Sequence, residues 1–233
     1  MPATRPRLSD NLHRIRERID RAAKRVGRDV SEVRLIVVTK TVKVEWFDNL
    51  AEIGVTEIGE NRVLDARAKK EETSSPFLWH LIGHLQRNKV SPALDTFDFF
   101  QSIDSHRLAR AVSEEIRKKQ LPPPPCLIQV NVSGESTKSG FSPPELPDFF
   151  AHASELSLRL DGFMTMAPYR AAEKECRSIF EELTRIRDQY TKQHPQHDLS
   201  QLSMGMSRDF ELAIEEGATM VRVGSACFEG VES

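Results

Sequence analysis

The sequence predicts an α/β fold, a single (β/α)8 TIM barrel with an extra helix at its N-terminal end. Eight short apolar runs alternate with helical patterns, and the length of 233 residues is typical of such a barrel. Strands that alternate with helices specify a parallel sheet, and eight is the number at which such a sheet closes. The last two strands are each followed by a loop that combines glycine with serine.

The predicted strands lie at 33–39, 56–59, 77–83, 97–103, 126–132, 158–164, 199–203 and 219–223. The helical patterns between them lie at 44–53, 62–72, 85–94, 106–119, 144–156, 172–192 and 208–216. An open doubly wound sheet fits this alternation nearly as well, but no G-x-G-x-x-G follows the first strand, so a dinucleotide site is not supported. No repeat or low-complexity segment divides the chain, and we interpret residues 1–233 as one domain.

An amphipathic helix is predicted before the first strand. Its apolar stripe, at spacings of four, three and four residues, consists of Leu8, Leu12, Ile15 and Ile19. We expect Ser9-Asp10 or Asn11 to cap this helix. The many arginines here could indicate an organellar transit peptide, but acidic residues interrupt them, and transit peptides are poor in acids.

Composition excludes several classes of partner. A formal net charge of -2 gives no reason to expect nucleic acid or an anionic membrane. The three cysteines are far apart and form no C-x-x-C pair, which favours a reducing compartment. No apolar run reaches the ~18 residues of a membrane helix. We therefore expect a cytoplasmic protein, and we also expect a monomer.

A lysine ends the first predicted strand. Ile36, Val38 and Lys40 share one face at a period of two, and the opposite face is also apolar. A strand that is apolar on both faces is typical of a parallel sheet covered by helices. We expect Lys40 to start from a buried position at the carboxyl edge of the sheet, where desolvation favours the neutral, nucleophilic amine. A solvated surface lysine is the alternative.

The eighth strand carries an arginine among apolar residues. Met220, Arg222 and Gly224 share one face, and valines form the other. If the valines meet the helices, Arg222 points into the barrel, where its charge needs an anion or an acceptor. Arg222 could pair with an inward acid such as Glu60, or it could meet a bound, anionic ligand that contains nitrogen.

The loops after the seventh and eighth strands suggest an anion site. They read Ser203-Met204-Gly205-Met206-Ser207 and Gly224-Ser225. Glycine lets backbone N–H groups approach a ligand, serine adds a hydroxyl donor, and these two loops often hold phosphate in such barrels. The first loop leads into a helix predicted to start near Arg208, whose N-terminal dipole favours an anion. Either loop alone could be an ordinary helix cap.

Two more polar residues lie on or beside strands. Asn61 follows the second strand, where it could cap the next helix or present its amide to a ligand. His80 lies within the third strand, and we interpret it as a core histidine with satisfied hydrogen bonds. Its i, i+4 spacing to His84 resembles a zinc helix, but Gly83 and the strand pattern contradict a helix there, so we predict no metal site.

Together these residues resemble the pyridoxal phosphate homeostasis protein family. The motifs occur in family order over nearly the whole chain, and threonine precedes Lys40 where many members have serine. They are VTK at 38–40, GEN at 59–61, WHLIGHLQRNK at 79–89, VNVSGESTKSG at 130–140, LSMGMS at 202–207 and VRVGS at 221–225.

The resemblance implies a barrel like the amino-terminal domain of bacterial alanine racemase, with pyridoxal 5′-phosphate (PLP) bound as a Schiff base to Lys40. It assigns the other contacts as follows: phosphate to Ser203, Gly205, Gly224 and Ser225, the pyridine nitrogen to Arg222, and the ring to Asn61. Arginine beside the pyridine nitrogen keeps that nitrogen unprotonated, which weakens the ring as an electron sink.

The sequence favours a carrier over an enzyme. The chain ends soon after Ser225, without the all-β domain from which racemising relatives take a catalytic tyrosine, so Lys40 is the one evident proton-transfer group. Racemisation needs an acid and a base on opposite faces of the cofactor. We expect a non-catalytic protein that buffers PLP for intracellular homeostasis, with apo PLP-dependent enzymes as further partners. A weak PLP-dependent amino-acid racemase is the alternative. A barrel hydrolase would need paired carboxylates or a metal cluster, which we do not find.

Overall fold

The computed structural model describes residues 4–135 and 137–231. Eight parallel strands close into one barrel in chain order. They are β1 (Arg34–Val38), β2 (Glu57–Glu60), β3 (Leu78–Leu81), β4 (Phe99–Ile103), β5 (Pro125–Gln129), β6 (Arg159–Met164), β7 (Gln201–Ser203) and β8 (Met220–Val223). The predicted TIM barrel is thus confirmed.

The described residues form eight α-helices, one before the barrel and one after each of β1 to β7. They are α1 (Thr4–Arg25), α2 (Phe47–Glu52), α3 (Val63–Glu72), α4 (Val90–Thr96), α5 (His106–Lys119), α6 (Leu146–His152), α7 (Glu173–Gln193) and α8 (Phe210–Glu215). None of them is both long and apolar enough to cross a bilayer.

The apolar residues divide into an outer and an inner core. The larger, outer core lies between the strands and the helices, and it includes Val37, Val221 and Val223. The inner core fills the barrel and consists of Ile36, Phe99, Leu127, Met164 and Met220. The predicted facing of the first and last strands is therefore correct, because alternate residues of β1 and β8 enter different cores.

The predicted cap of the N-terminal helix was wrong. Because α1 already begins at Thr4, Ser9, Asp10 and Asn11 all lie inside it. Asn11 is buried, and its side-chain amide donates to the carbonyls of Cys227 and Glu229, both at 3.0 Å. Its polar group therefore ties α1 to the segment that follows β8.

One predicted helix is displaced along the chain. The pattern at 85–94 predicts a helix, but α4 starts only at Val90, after a short 3-10 turn at Arg87–Lys89. Leu85 is buried like a helical core residue, although it lies in the loop that leaves β3. Apolar residues of this loop are buried singly, and their spacing in the sequence resembles that of a helix.

Candidate functional site

Four neighbouring strands bring the candidate residues into one sector of the barrel mouth. β7, β8, β1 and β2 are consecutive around the barrel, so the loops that leave their carboxyl ends lie side by side. Gly224, after β8, packs against β1: a Cβ atom added to Gly224 would lie 3.1 Å from Val38 Cβ. Glycine allows this close approach without displacement of Val38.

Lys40 lies in this sector, but it is not buried. β1 ends at Val38, two residues before Lys40, and the Lys40 side chain is exposed. It makes no hydrogen bond or ion pair with any residue that the structure describes. The expected desolvation of this amine was therefore wrong, because both apolar faces of the strand end before Lys40 is reached.

A buried ion pair holds the backbone immediately before Lys40. The Thr39 hydroxyl donates to Glu60 Oε1 at 2.7 Å, and Lys69 Nζ donates to the same oxygen at 2.8 Å. Lys69 Nζ also donates to the Thr39 carbonyl at 2.8 Å. Thr39 and Glu60 are almost completely buried. Glu60 is therefore the partner of Lys69 on α3, and the suggested pairing of Glu60 with Arg222 was wrong.

Arg222 points into the barrel, as predicted, and is 3% exposed. Its Nη1 donates to Ser203 Oγ, and its Nη2 donates to the carbonyl of Thr165 at 2.9 Å. Burial lowers the pKa of Arg222 to about 10, although the negative charge of Asp209 opposes this shift. The guanidinium therefore stays protonated at neutral pH. Three of its five N–H groups have no acceptor among the described residues.

Ser203 lies inside the barrel rather than in the loop. It is the last residue of β7 and fully buried, and its hydroxyl accepts from Arg222 and donates to Gln101 Oε1 at 2.7 Å. A hydroxyl with both of these bonds has its one hydrogen already committed. The Ser203 side chain thus faces Gln101 and Arg222, because the period of two turns it inward.

Ser207, which the sequence argument did not single out, occupies the position expected of Ser203. Its Oγ lies 3.3 Å from the backbone nitrogens of both Gly224 and Ala226, where it accepts from their N–H groups. Ser207 therefore joins the loop after β7 to the loop after β8. Ser225, between those two nitrogens, is exposed. The signal in the sequence was the second serine of Ser203-Met204-Gly205-Met206-Ser207.

Gly205 has a packing function. Its φ is +90°, and an added Cβ would lie 2.6 Å from Ala213 Cβ and 2.8 Å from Phe210 Cα. Any side chain here would collide with α8. Gly205 thus allows the loop to pack against α8, and its backbone is buried rather than open to a ligand.

Asn61 does not cap the following helix. The cap residue of α3 is Arg62, which makes no side-chain capping bond. The half-buried Asn61 amide has no hydrogen bond with the described residues. Gly83 approaches it closely, since a Cβ on Gly83 would lie 2.5 Å from the Asn61 carbonyl oxygen. Of the two interpretations, an amide presented to a ligand fits this geometry.

His80 is a satisfied core histidine, as predicted. It is fully buried, with Nε2 2.9 Å from Glu57 Oε2 and Nδ1 3.0 Å from Gln101 Nε2. Glu57 also accepts two hydrogen bonds from Arg34, at 2.9 and 2.6 Å. The structure has no metal-binding group of three or more suitable side chains within the described ranges.

The charges in this cluster favour a neutral histidine beside a carboxylate. Burial lowers the pKa of His80, although Glu57 opposes the shift. Burial would raise the pKa of Glu57, but hydrogen bonds from His80 and Arg34 together hold that pKa below its ordinary value. Gln101 and His80 were missed as a pair because they lie on different strands, and neither strand alone indicates the contact between them.

Comparison with known proteins gives concordant results. A family model described as "Alanine racemase, N-terminal domain" matches residues 11–231. The pyridoxal phosphate homeostasis protein of Aquifex aeolicus is 38% identical over 221 residues, which are 94% of this chain and 96% of that protein. PipY of Synechococcus elongatus, solved without PLP, is 34% identical with a TM-score of 0.82, and the similarity covers 92% of this chain and 99% of PipY. The structure of PipY with PLP bound has a TM-score of 0.80 and is 32% identical, with the same coverage.

A more distant similarity concerns the fold alone. Alanine racemase of Clostridium difficile is 12% identical with a TM-score of 0.76, over 96% of this chain and 56% of the racemase. The fold and the site thus define an α/β-barrel protein of the alanine racemase N-terminal type. Within that class, the chain belongs to the pyridoxal phosphate homeostasis protein family.

The ion pair before Lys40 generates the first prediction. Lys69→Met should lower the free energy of unfolding by about 3–5 kcal/mol, because it leaves the Glu60 carboxylate buried and unpaired. Adding Glu60→Gln should recover part of this loss, and urea denaturation measures both changes. Arg67→Met on the same helix, which breaks the exposed pair of Arg67 with Glu71, should leave the stability almost unchanged. Equal losses from the two single substitutions would show that the buried pair has no special role.

Proposed function

We propose that this protein binds PLP at the carboxyl mouth of its barrel, covalently through Lys40, and carries and buffers the cofactor in the cytoplasm. We treat residues 1–233 as one PLP-binding domain that acts as a monomer. The observation that carries the proposal is the sector in which an exposed lysine adjoins the serine-linked loops after β7 and β8. The structure of the related PipY with PLP bound supports it.

Lys40 suits a reversible covalent attachment. PLP supplies an aldehyde, which reacts with amines, and a ring that withdraws electrons. The Lys40 amine is exposed and uncommitted among the described residues, so a ligand can reach it without breaking a contact. The buried pair of Glu60 with Lys69 holds the preceding carbonyl and thereby fixes the direction from which the side chain leaves the backbone.

We assign the phosphate to the junction of the last two loops. Ser207 Oγ accepts from the backbone N–H groups of Gly224 and Ala226, so its own hydrogen remains available to a ligand. The exposed Ser225 adds a second hydroxyl, and hydroxyl groups are donors that a phosphate needs. Of the residues that the family resemblance gave to the phosphate, Gly224 and Ser225 remain, Ser207 replaces Ser203, and Gly205 supports the loop.

We assign the other side of the ligand to Arg222 and Asn61. Arg222 is donor-only and protonated, so it can hydrogen-bond the pyridine nitrogen only while that nitrogen is unprotonated. Asn61 lies near the ring with an uncommitted amide. This assignment favours storage over catalysis, because an unprotonated ring nitrogen withdraws electrons weakly. We therefore propose that apo PLP-dependent enzymes receive the cofactor and that the protein itself is not an enzyme.

Lys40 should carry the cofactor. We expect Lys40→Ala to lose the visible absorbance of bound PLP and remain folded, because the side chain makes no contact that stabilises the fold. Borohydride reduction followed by peptide mass spectrometry locates the attachment in the unsubstituted protein. Lys43→Ala, three residues further on and also exposed, is the matched control and should bind normally. A label on Lys43 or Lys138 would refute the assignment.

The phosphate should dominate the affinity for PLP. Ser207→Ala combined with Ser225→Ala should weaken PLP at least tenfold and pyridoxal much less, since each charge-assisted bond contributes about 1.5–3 kcal/mol. Fluorescence titration with both ligands measures the difference. Ser200→Ala, an exposed serine before β7, should leave both affinities unchanged. Equal weakening of PLP and pyridoxal would place the phosphate elsewhere.

The protein should not turn over alanine at an enzyme-like rate. A missing general acid alone accounts for about 10²–10⁴-fold, and a weakened electron sink multiplies that loss. Exchange of the α-proton of L- and D-alanine in heavy water, followed by NMR with PLP-loaded protein, measures the activity. Rapid exchange of both enantiomers that disappears in Lys40→Ala would establish the racemase alternative. Slow exchange of one enantiomer would agree with a single-base cofactor pocket.

A further inference from the structure

A line of polar side chains, partly exposed at its first two members and buried from there on, runs through the barrel from its amino end to the level of Arg222. At the amino end are Arg34 and Glu57, the first residues of β1 and β2. His80 and Gln101 follow in the middle, and Ser203 links Gln101 to Arg222. The buried members of the line lie within the apolar inner core, with the His80 ring stacked on Phe99 at 4.9 Å between centroids.

The charges at the two ends determine the direction of every hydrogen bond in this line. Arg222 can only donate, so Ser203 accepts from it and sends its own hydrogen to Gln101 Oε1. The Gln101 amide nitrogen therefore faces His80 and donates to Nδ1. His80 then carries its hydrogen on Nε2 and donates it to the Glu57 carboxylate. A neutral histidine of one tautomer is the only form that satisfies all four groups.

This line of hydrogen bonds ends at Arg222, so it restrains the guanidinium in addition to satisfying buried polar groups. Arg222 has no carboxylate in hydrogen-bond contact within the described residues, and its acceptors are the Ser203 hydroxyl and the Thr165 carbonyl. Thr165 O restrains Nη2, and Ser203 restrains Nη1. The N–H bonds of a guanidinium lie in its plane, so two hydrogen bonds from different nitrogens orient that plane and with it the remaining N–H groups.

We infer that Gln101 and His80 are positioning residues that orient Arg222, through Ser203, toward the ring nitrogen of the bound ligand. The inference rests on the proposed function, because it assumes that PLP occupies the barrel mouth. Gln101 and His80 do not touch the ligand in this arrangement. They keep the Ser203 hydrogen turned away from Arg222, so that the Ser203 oxygen faces the guanidinium as an acceptor.

The experiment compares the affinity for PLP with that for an analogue that has carbon in place of the ring nitrogen. The unsubstituted protein should prefer PLP by about ten- to a hundredfold, the range for a hydrogen bond with one charged partner. Gln101→Leu should reduce this preference to about threefold or less. Met164→Leu, an apolar exchange in the same inner core, is the control and should retain the preference.

The outcomes separate this inference from the proposed function. An unchanged preference in folded Gln101→Leu would overturn the positioning role and leave PLP binding intact. A wild-type protein that does not bind PLP would overturn both. If Gln101→Leu does not fold, Ser203→Ala decides, because it removes the link to Arg222 by deleting one oxygen. A preference that survives Ser203→Ala overturns the inference, and a preference that disappears supports it.

Discussion

The pairing of β8 with β1 is the constraint on which the site depends. Four residue pairs, from Arg34 with Met220 to Val37 with Val223, join the two ends of the sheet. The closed sheet has no edge strand, and every strand has a neighbour on both sides. The same pairing sets Gly224 against Val38, so that loops from opposite ends of the chain form a single sector of the mouth. A lysine after the first strand and serines near the last two strands become neighbours only through this closure.

The second constraint is the burial of a positive charge inside the barrel. An isolated charge in an apolar interior is costly unless acceptors surround it. Arg222 has two neutral oxygens as acceptors, and the carboxylate in the same line of hydrogen bonds is Glu57, at the opposite end of the barrel. The interior is therefore polar along one line and apolar around it. This arrangement stabilises the guanidinium and leaves part of its donor capacity for a ligand at the mouth.

Alternation of residues was a reliable guide wherever the chain is regular. It correctly predicted eight strands, the inward facing of Ile36, Met220 and Arg222, and the core position of His80. It was unreliable where a strand ends. Lys40 was expected to be buried and is exposed, since β1 stops two residues earlier. Ser203, the last residue of both the predicted strand and β7, was grouped with the loop that follows it, but its side chain faces inward. One residue more or less of strand reverses the environment of a side chain, and local sequence does not specify that last residue.

By itself, the sequence determined the architecture and the chemical types of residue at the barrel mouth, because hydrophobic periodicity and the order of elements are local properties of the chain. The tertiary structure alone decided which hydroxyl joins the last two loops, which acid pairs with Lys69, and that His80, Gln101 and Ser203 form one line to Arg222. These contacts connect residues far apart in the chain. Their geometry depends on strand register and barrel closure, and neither can be read from any single segment.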